Sequence, residues 1–148
     1  MSEVSIKWLE LKRFVAVDKT NHTTVISGTE EDGKIGIKPV DLLLMSLGSC
    51  MGLSIVYVLQ QKRQKLEDFE VHVSGKMKED APWTFTDFHM KYTFWGSELS
   101  EKAVVDAIRI GTEQLCGVTD LLSKGATITD EYELLESKDK LPEPKRNR

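Results

Sequence analysis

Two hydrophobic periods alternate along this chain, and the switches between them mark out its elements. Val4, Ile6 and Trp8 alternate with Ser5 and Lys7, which predicts a half-buried strand. Residues 14–17 predict a second strand and residues 23–27 a third, so N-terminal strands occupy residues 3–27, with a polar turn at 18–22. Residues 28–38 are rich in glycine and acid and predict an exposed loop. From position 42 to position 61 twenty residues then pass without a charge. Pro39 suits the first position of a helix, and Asp41 suits the positive end of its dipole. Lys62, Arg63 and Lys65 suit the negative end. A central helix over residues 39–65 is the expectation, with an apolar body roughly 37 Å long.

An uncharged run of that length could also cross a membrane. Ser46, Ser49, Cys50, Ser54, Gln60 and Gln61 interrupt it, and it is the one such run in the chain. The flanking segments alternate like strands that need a surface to pack on. A buried core helix is therefore expected, with no membrane as partner. So long and apolar a helix needs cover on most sides. A chain of 148 residues has little else to cover it with, which points to a partner subunit.

The period of two returns at Phe69, Val71 and Val73, and again at Phe88, Met90, Tyr92 and Phe94. These are two strands joined across a turn at 79–82, the second ended by Gly96 and Ser97. Ser100 fits the N-cap of a helix whose inner face is Ala103, Val104, Ala107 and Ile108. Gly111 and Gly117 break the pattern on either side of Cys116. Residues 118–124 predict a short helix closed by Gly125 as a left-handed cap, and residues 126–135 a last strand. This C-terminal lobe occupies residues 68–135. Residues 137–148 are charged, contain Pro142 and Pro144, and are expected to fray. The order is α+β, in a single domain over residues 1–136.

Composition narrows the function. The net charge of −4 argues against a nucleic-acid partner. Two cysteines are too few for a disulfide framework or a structural zinc site. Polar residues enter from Ser2 onward, so no leader is expected and the chain is expected in the cytoplasm. His22, His72 and His89 are scattered without metal-ligand spacing, so no metal is expected. Phosphate loops, dinucleotide fingerprints and a serine elbow are all missing.

The two cysteines remain. Cys50 lies in Gly48-Ser49-Cys50-Met51-Gly52, where small neighbours leave volume beside the sulfur. Gly48 and Gly52 share a helix face and let another backbone come close, at about 1 kcal/mol each against alanine. Cys116 sits before Gly117, at the start of a helix whose dipole would favour a thiolate. Taken singly, neither is decisive, and for Cys50 composition alone favours a small buried apolar residue; together they gain weight, because both lie at helix positions relieved by glycine.

A resemblance joins these pieces. Pro39-Val40-Asp41-Leu42-Leu43-Leu44-Met45, then Gly48-Ser49-Cys50, then Gln61-Lys62-Arg63-Gln64, resembles the central helix of the OsmC/Ohr superfamily of thiol peroxidases. Ala81-Pro82 with residues 85–94 is similar to the family's hairpin, and Glu113-Gln114-Leu115-Cys116 to its second cysteine segment. The likeness covers about residues 4–135 and is nearest to the YhfA-like branch, which shares a small residue followed by His at Asn21-His22. It implies an intertwined homodimer, with strands wrapped around two long central helices. It implies a peroxiredoxin-like oxidoreductase of oxidative-stress defence. Cys50 would be the peroxidatic thiol, attacking an organic hydroperoxide, and Cys116 would close a disulfide onto the resulting sulfenic acid. An external dithiol would restore both, and no cofactor would be needed.

Two positions depart from the family pattern. The turn after the second strand reads Lys19-Thr20-Asn21-His22, without the family's Arg. The Glu after the helix-opening proline is replaced by Val40, with Asp41 one place later. Lys19, Asn21, His22 and Asp41 are therefore the candidate thiolate-activating or pocket residues, and Gly48, Ser49 and Gly52 the pocket-shaping ones. On a straight helix Asp41 falls on the face opposite Cys50, about 13.5 Å along the axis, a poor direct partner. A peroxidase is one expectation. A non-catalytic protein that holds a small apolar or thiol-bearing ligand on the same fold is the other.

Overall fold

The computed structural model describes residues 1–28 and 35–137. Residues 29–34 of the expected loop and residues 138–148 of the expected frayed tail lie outside the described residues. The chain divides into two compact units, Met1–Met45 and Ser46–Arg148, with the boundary inside the long helix. The architecture is mixed α+β, with two three-stranded sheets.

In the N-terminal unit β1 (Val4–Glu10), β2 (Arg13–Asp18) and β3 (Thr23–Ser27) form an antiparallel sheet in chain order. Trp8 opposes Phe14 and Ile6 opposes Ala16. A bulge between Trp8 and Glu10, with Leu11 at φ 46°, turns the chain into β2. The indole Nε1 of Trp8 donates to the Leu11 carbonyl at 2.8 Å and fixes that corner. The three strands form as the alternation predicts, but β1 is not half-buried. It is exposed along its whole length, Trp8 at 60%. Period-two alternation shows that a face is built for burial, and among the described residues of this unit nothing covers it.

The long helix α1 (Pro39–Gln61) starts at Pro39 as expected and ends four residues early. Arg63 takes a left-handed φ of 54°, and the Gln64 N–H returns to the Leu59 carbonyl at 2.9 Å. That bond spans the final turn and satisfies a carbonyl the helix would leave open. Lys62, Arg63 and Lys65 thus lie beyond the helix, and the Lys62 ammonium pairs with Asp106 at 3.0 Å.

In the C-terminal unit the sheet runs β4 (Asp68–Met77), β5 (Phe85–Trp95), β6 (Thr127–Leu135). The β4–β5 pair is an antiparallel hairpin, while β6 pairs parallel to β5. A parallel neighbour needs a crossover. It consists of α2 (Glu101–Ile110), a π-helical turn (Gly111–Leu115) and α3 (Gly117–Ser123). Ser100 caps α2, accepting from the Ala103 N–H at 3.3 Å, as expected. Gly125 does not act as a left-handed cap. Instead α3 closes through Lys124 in right-handed conformation, with the N–H groups of Gly125 and Ala126 both 3.1 Å from the Leu122 carbonyl.

The core of this unit joins Leu47, Met51, Ile55 and Leu59 of α1 to Phe88, Met90, Tyr92 and Phe94 of β5 and to Val104 and Ala107 of α2. These α1 positions recur every four residues, so one stripe of the helix is buried. Gly48, Ser54 and Val58 flank that stripe and are buried with it, while the opposite face stays open, with Leu53 75% and Tyr57 55% exposed. Among the described residues α1 is the one helix with the length and hydropathy of a membrane span. Its inner stripe is held by the sheet of its own unit.

Candidate functional site

Cys50 lies at the edge of the buried stripe of α1, half-buried, with Leu47 one turn before it and Ser54 one turn after. The Ser54 hydroxyl donates back to the Cys50 carbonyl at 2.9 Å. Against this edge the crossover brings its π-helical turn. Gly111 makes the approach close: a Cβ there would lie 3.1 Å from Met51 Cε and 3.5 Å from Ser54 Cβ. The Cys116 N–H bonds the Gly111 carbonyl at 2.9 Å, the five-residue closure of a π turn. Cys116 then leaves the helix with φ −87° and ψ 98° and becomes the N-cap of α3. The outcome is a contact between two sulfurs 66 residues apart, with Cys116 Sγ 2.7 Å from Cys50 Sγ.

The sulfurs differ in surroundings. Cys116 is 3% exposed. Its Sγ accepts from both the backbone N–H of Thr119, at 3.3 Å, and the Thr119 hydroxyl, at 3.1 Å. The Cys50 thiol is raised above its ordinary value of 9.0, first by burial and then by the neighbouring Cys116. The N–H groups of Val118 and Gly117, at the start of α3, pull it the other way. The phenol of Tyr92, pushed up by burial and by the charges of Asp130 and Cys116, donates to Met90 Sδ at 3.2 Å.

Gly48 and Gly52 lie against the neighbouring strand. Both face β4: a Cβ at Gly48 would lie 2.7 Å from Val73 Cγ2, and one at Gly52 would lie 3.7 Å from Phe69 and Val71. They let helix and strand approach, as their spacing predicts, and the approaching backbone is a strand. Ser49 is exposed, and its hydroxyl donates to the Ser46 carbonyl at 3.3 Å.

Lys19, Asn21 and His22 lie in the β2–β3 turn of the N-terminal unit. Asp18 organises that turn. Its carboxylate accepts from the N–H groups of Thr20 at 2.8 Å and His22 at 2.9 Å. These bonds, the His22 N–H first and the Thr20 hydroxyl next, hold the Asp18 carboxyl down at about 2. The His22 Nδ1 lies 3.3 Å from the same carboxylate. Asn21 has φ 67°, a left-handed position that asparagine tolerates well. Local turn geometry thus explains Asn21 and the backbone of His22. Asp41 is in the first turn of α1.

Sequence reasoning passes over Gly111 as the point of close approach and Thr119, and it gives the start of the last helix to Cys116, whereas the N–H groups of Val118 and Gly117 act on Cys50. A capping rule that admits sulfur at the cap position would have flagged Thr119, three residues after Cys116.

Comparison with known proteins agrees with this architecture. Protein YhfA of Escherichia coli is 29% identical over 133 residues, covering 90% of this chain and 98% of YhfA. A crystal structure of a hypothetical protein from Aquifex aeolicus superposes with a TM-score of 0.83 at 24% identity, covering 92% of this chain and 97% of that one. The organic hydroperoxide resistance protein OhrB of Bacillus subtilis shares the fold at a TM-score of 0.64 and 12% identity, covering 90% and 98%. The family model for OsmC-like proteins matches residues 30–131. With that match over more than half its length, this chain belongs to the OsmC-like protein family.

Proposed function

We propose that this chain is a cysteine-based peroxidase that reduces organic hydroperoxides, with Cys50 as the attacking thiol and Cys116 as the resolving one. The observation that carries the reading is the 2.7 Å separation of the two sulfurs at one helix start, Cys50 half-buried and Cys116 buried. A fold relative named for organic hydroperoxide resistance supports it. In the cycle the Cys50 thiolate attacks one peroxide oxygen. The O–O bond breaks, an alcohol leaves, and Cys50 becomes a sulfenic acid. Cys116 displaces its hydroxyl as water and closes the disulfide, which an external dithiol reduces. These steps use sulfur chemistry throughout and call on no metal, haem or flavin.

The active form we propose is a cytoplasmic homodimer without membrane or nucleic-acid partners. Leu53 and Tyr57 on the open side of α1, and Val4, Ile6 and Trp8 on β1, are large apolar side chains left in water by the single chain. A second copy would bury them.

A second reading, a ligand-binding protein that no longer turns over, is favoured by one observation. Burial raises the Cys50 thiol, and among the described residues the groups that act on it are Cys116 and the N–H groups of Val118 and Gly117. Stopped-flow reduction of cumene hydroperoxide and hydrogen peroxide with a dithiol decides between the two. The peroxidase should favour the organic substrate. Cys116→Ser should yield a trappable sulfenic acid at Cys50, while Cys50→Ser should react little faster than a free thiol. If all three proteins react like free thiols, the binding reading replaces this one.

A further inference from the structure

Thr119 is 3% exposed, yet it is polar and lies on a seven-residue helix. A buried threonine in a helix ordinarily returns its hydroxyl to a carbonyl one turn back, as Ser54 does to Cys50 on α1. Thr119 does not. Both its donors, the N–H at 3.3 Å and the O–H at 3.1 Å, point at Cys116 Sγ. In a capping box the third residue reaches back to the N–H of the cap. Here that N–H is already bonded to the Gly111 carbonyl at 2.9 Å. The Thr119 hydroxyl is left to serve the sulfur. With two donors on one side and Cys50 Sγ at 2.7 Å on the other, the Cys116 sulfur is fixed in place.

We propose that Thr119 is the positioning residue of the resolving thiol: its hydroxyl and N–H hold Cys116 Sγ against Cys50 and stabilise the negative charge that Cys116 carries as it attacks. This rests on the reading of Cys50 and Cys116 as a redox pair. In the step concerned, the Cys116 sulfur forms the S–S bond as the S–O bond of the Cys50 sulfenic acid breaks. The Cys50 sulfur is reduced and the Cys116 sulfur oxidised. The thiol proton of Cys116 ends on the departing hydroxide, so one water is released and no further reagent is needed. Donors aimed at Cys116 act on this step. They act less directly on the earlier attack of Cys50, whose thiol the N–H groups of Val118 and Gly117 pull down.

A test independent of peroxide uses an aromatic disulfide reagent whose released thiolate absorbs visible light. The first release reports the mixed disulfide at the more accessible Cys50, the second its displacement by Cys116. In Thr119→Val the ratio of second to first rate should fall roughly three- to tenfold, the worth of one hydrogen bond. Thr119→Ser, which keeps the hydroxyl, should restore it to within about twofold. Thr119→Ala gives a second view of the missing hydroxyl if the valine protein folds poorly by circular dichroism. An unchanged ratio in the variants lacking the hydroxyl, an equal slowing of both phases, or no rescue by serine each overturns the proposal. If the release pattern is as expected but no hydroperoxide is consumed, Thr119 keeps its role and the peroxidase reading falls.

Discussion

Gly48 and Gly52 occupy the same face of α1 one turn apart, and the same substitution should move stability in opposite directions at the two. Alanine in place of a mid-helix glycine gains about 1 kcal/mol from the lower entropy of the unfolded chain and the better helix propensity. At Gly52 the new methyl would meet Phe69 and Val71 at 3.7 Å, ordinary contact distance, so most of that gain should survive. At Gly48 it would lie 2.7 Å from Val73 Cγ2, about 1 Å inside the favourable range. Val73 is branched at Cβ and sits on a paired strand opposite Met90, so it has little freedom to turn away. Overpacking of this kind costs roughly 1–3 kcal/mol and should cancel or exceed the helix gain. Gly52→Ala should therefore be more stable than the parent by up to about 1 kcal/mol, and Gly48→Ala as stable or less. Urea unfolding followed by circular dichroism, on reduced protein at one fixed concentration, measures both; in melting temperature each kcal/mol is roughly 2–4 °C. Adding Val73→Ala to Gly48→Ala should recover stability, with a coupling of about 0.5–3 kcal/mol. If Gly48→Ala proves more stable than Gly52→Ala, the close approach of α1 to β4 is not what the glycines serve.

Three more outcomes follow from the same geometry. Because burial raises the Cys50 thiol above 9.0, its reaction with cumene hydroperoxide should still be accelerating as pH passes 9; a plateau reached by pH 7 would contradict this. The Asp18 carboxyl, held at about 2 against an ordinary 3.8, should keep the β2–β3 turn ordered above pH 3.8 and release it only as pH falls through 2. Carbon NMR of that carboxyl, with the amide shifts of Thr20 and His22, checks it, and a midpoint at 3.8 or above refutes it. Sedimentation at micromolar concentration should give about twice 16.8 kDa, and a stable folded monomer would leave Leu53, Tyr57 and Trp8 without the cover proposed for them.

The strands, the start of α1 and the Ser100 cap were all legible in the chain, because each is set by neighbours within a few residues. Period-two runs mark strands, Pro39 opens a helix, and a serine before an amphipathic stretch caps it. The family was legible too, since its motifs are local runs such as Gly48-Ser49-Cys50 and Glu113-Gln114-Leu115-Cys116. Errors gathered where helices end. Arg63 takes a left-handed angle that its side chain does not advertise, and Gly125 declines one that glycine would permit. Helix termini are close-run contests between a few hydrogen bonds, and propensity alone does not decide them.

The site itself was decided by tertiary structure. The sequence offered two cysteines 66 residues apart and two glycines beside the first. Folding spent those glycines on β4, and drew on a different one, Gly111, to bring the crossover against α1. The parallel pairing of β5 and β6 forces a crossover, the π turn within it sets where Cys116 leaves the helix, and Thr119 then meets its sulfur. None of these can be read from one position alone. Each is a packing solution that exists only once strand order is fixed, which is why the chemistry of the pair was readable from the chain and its geometry was not.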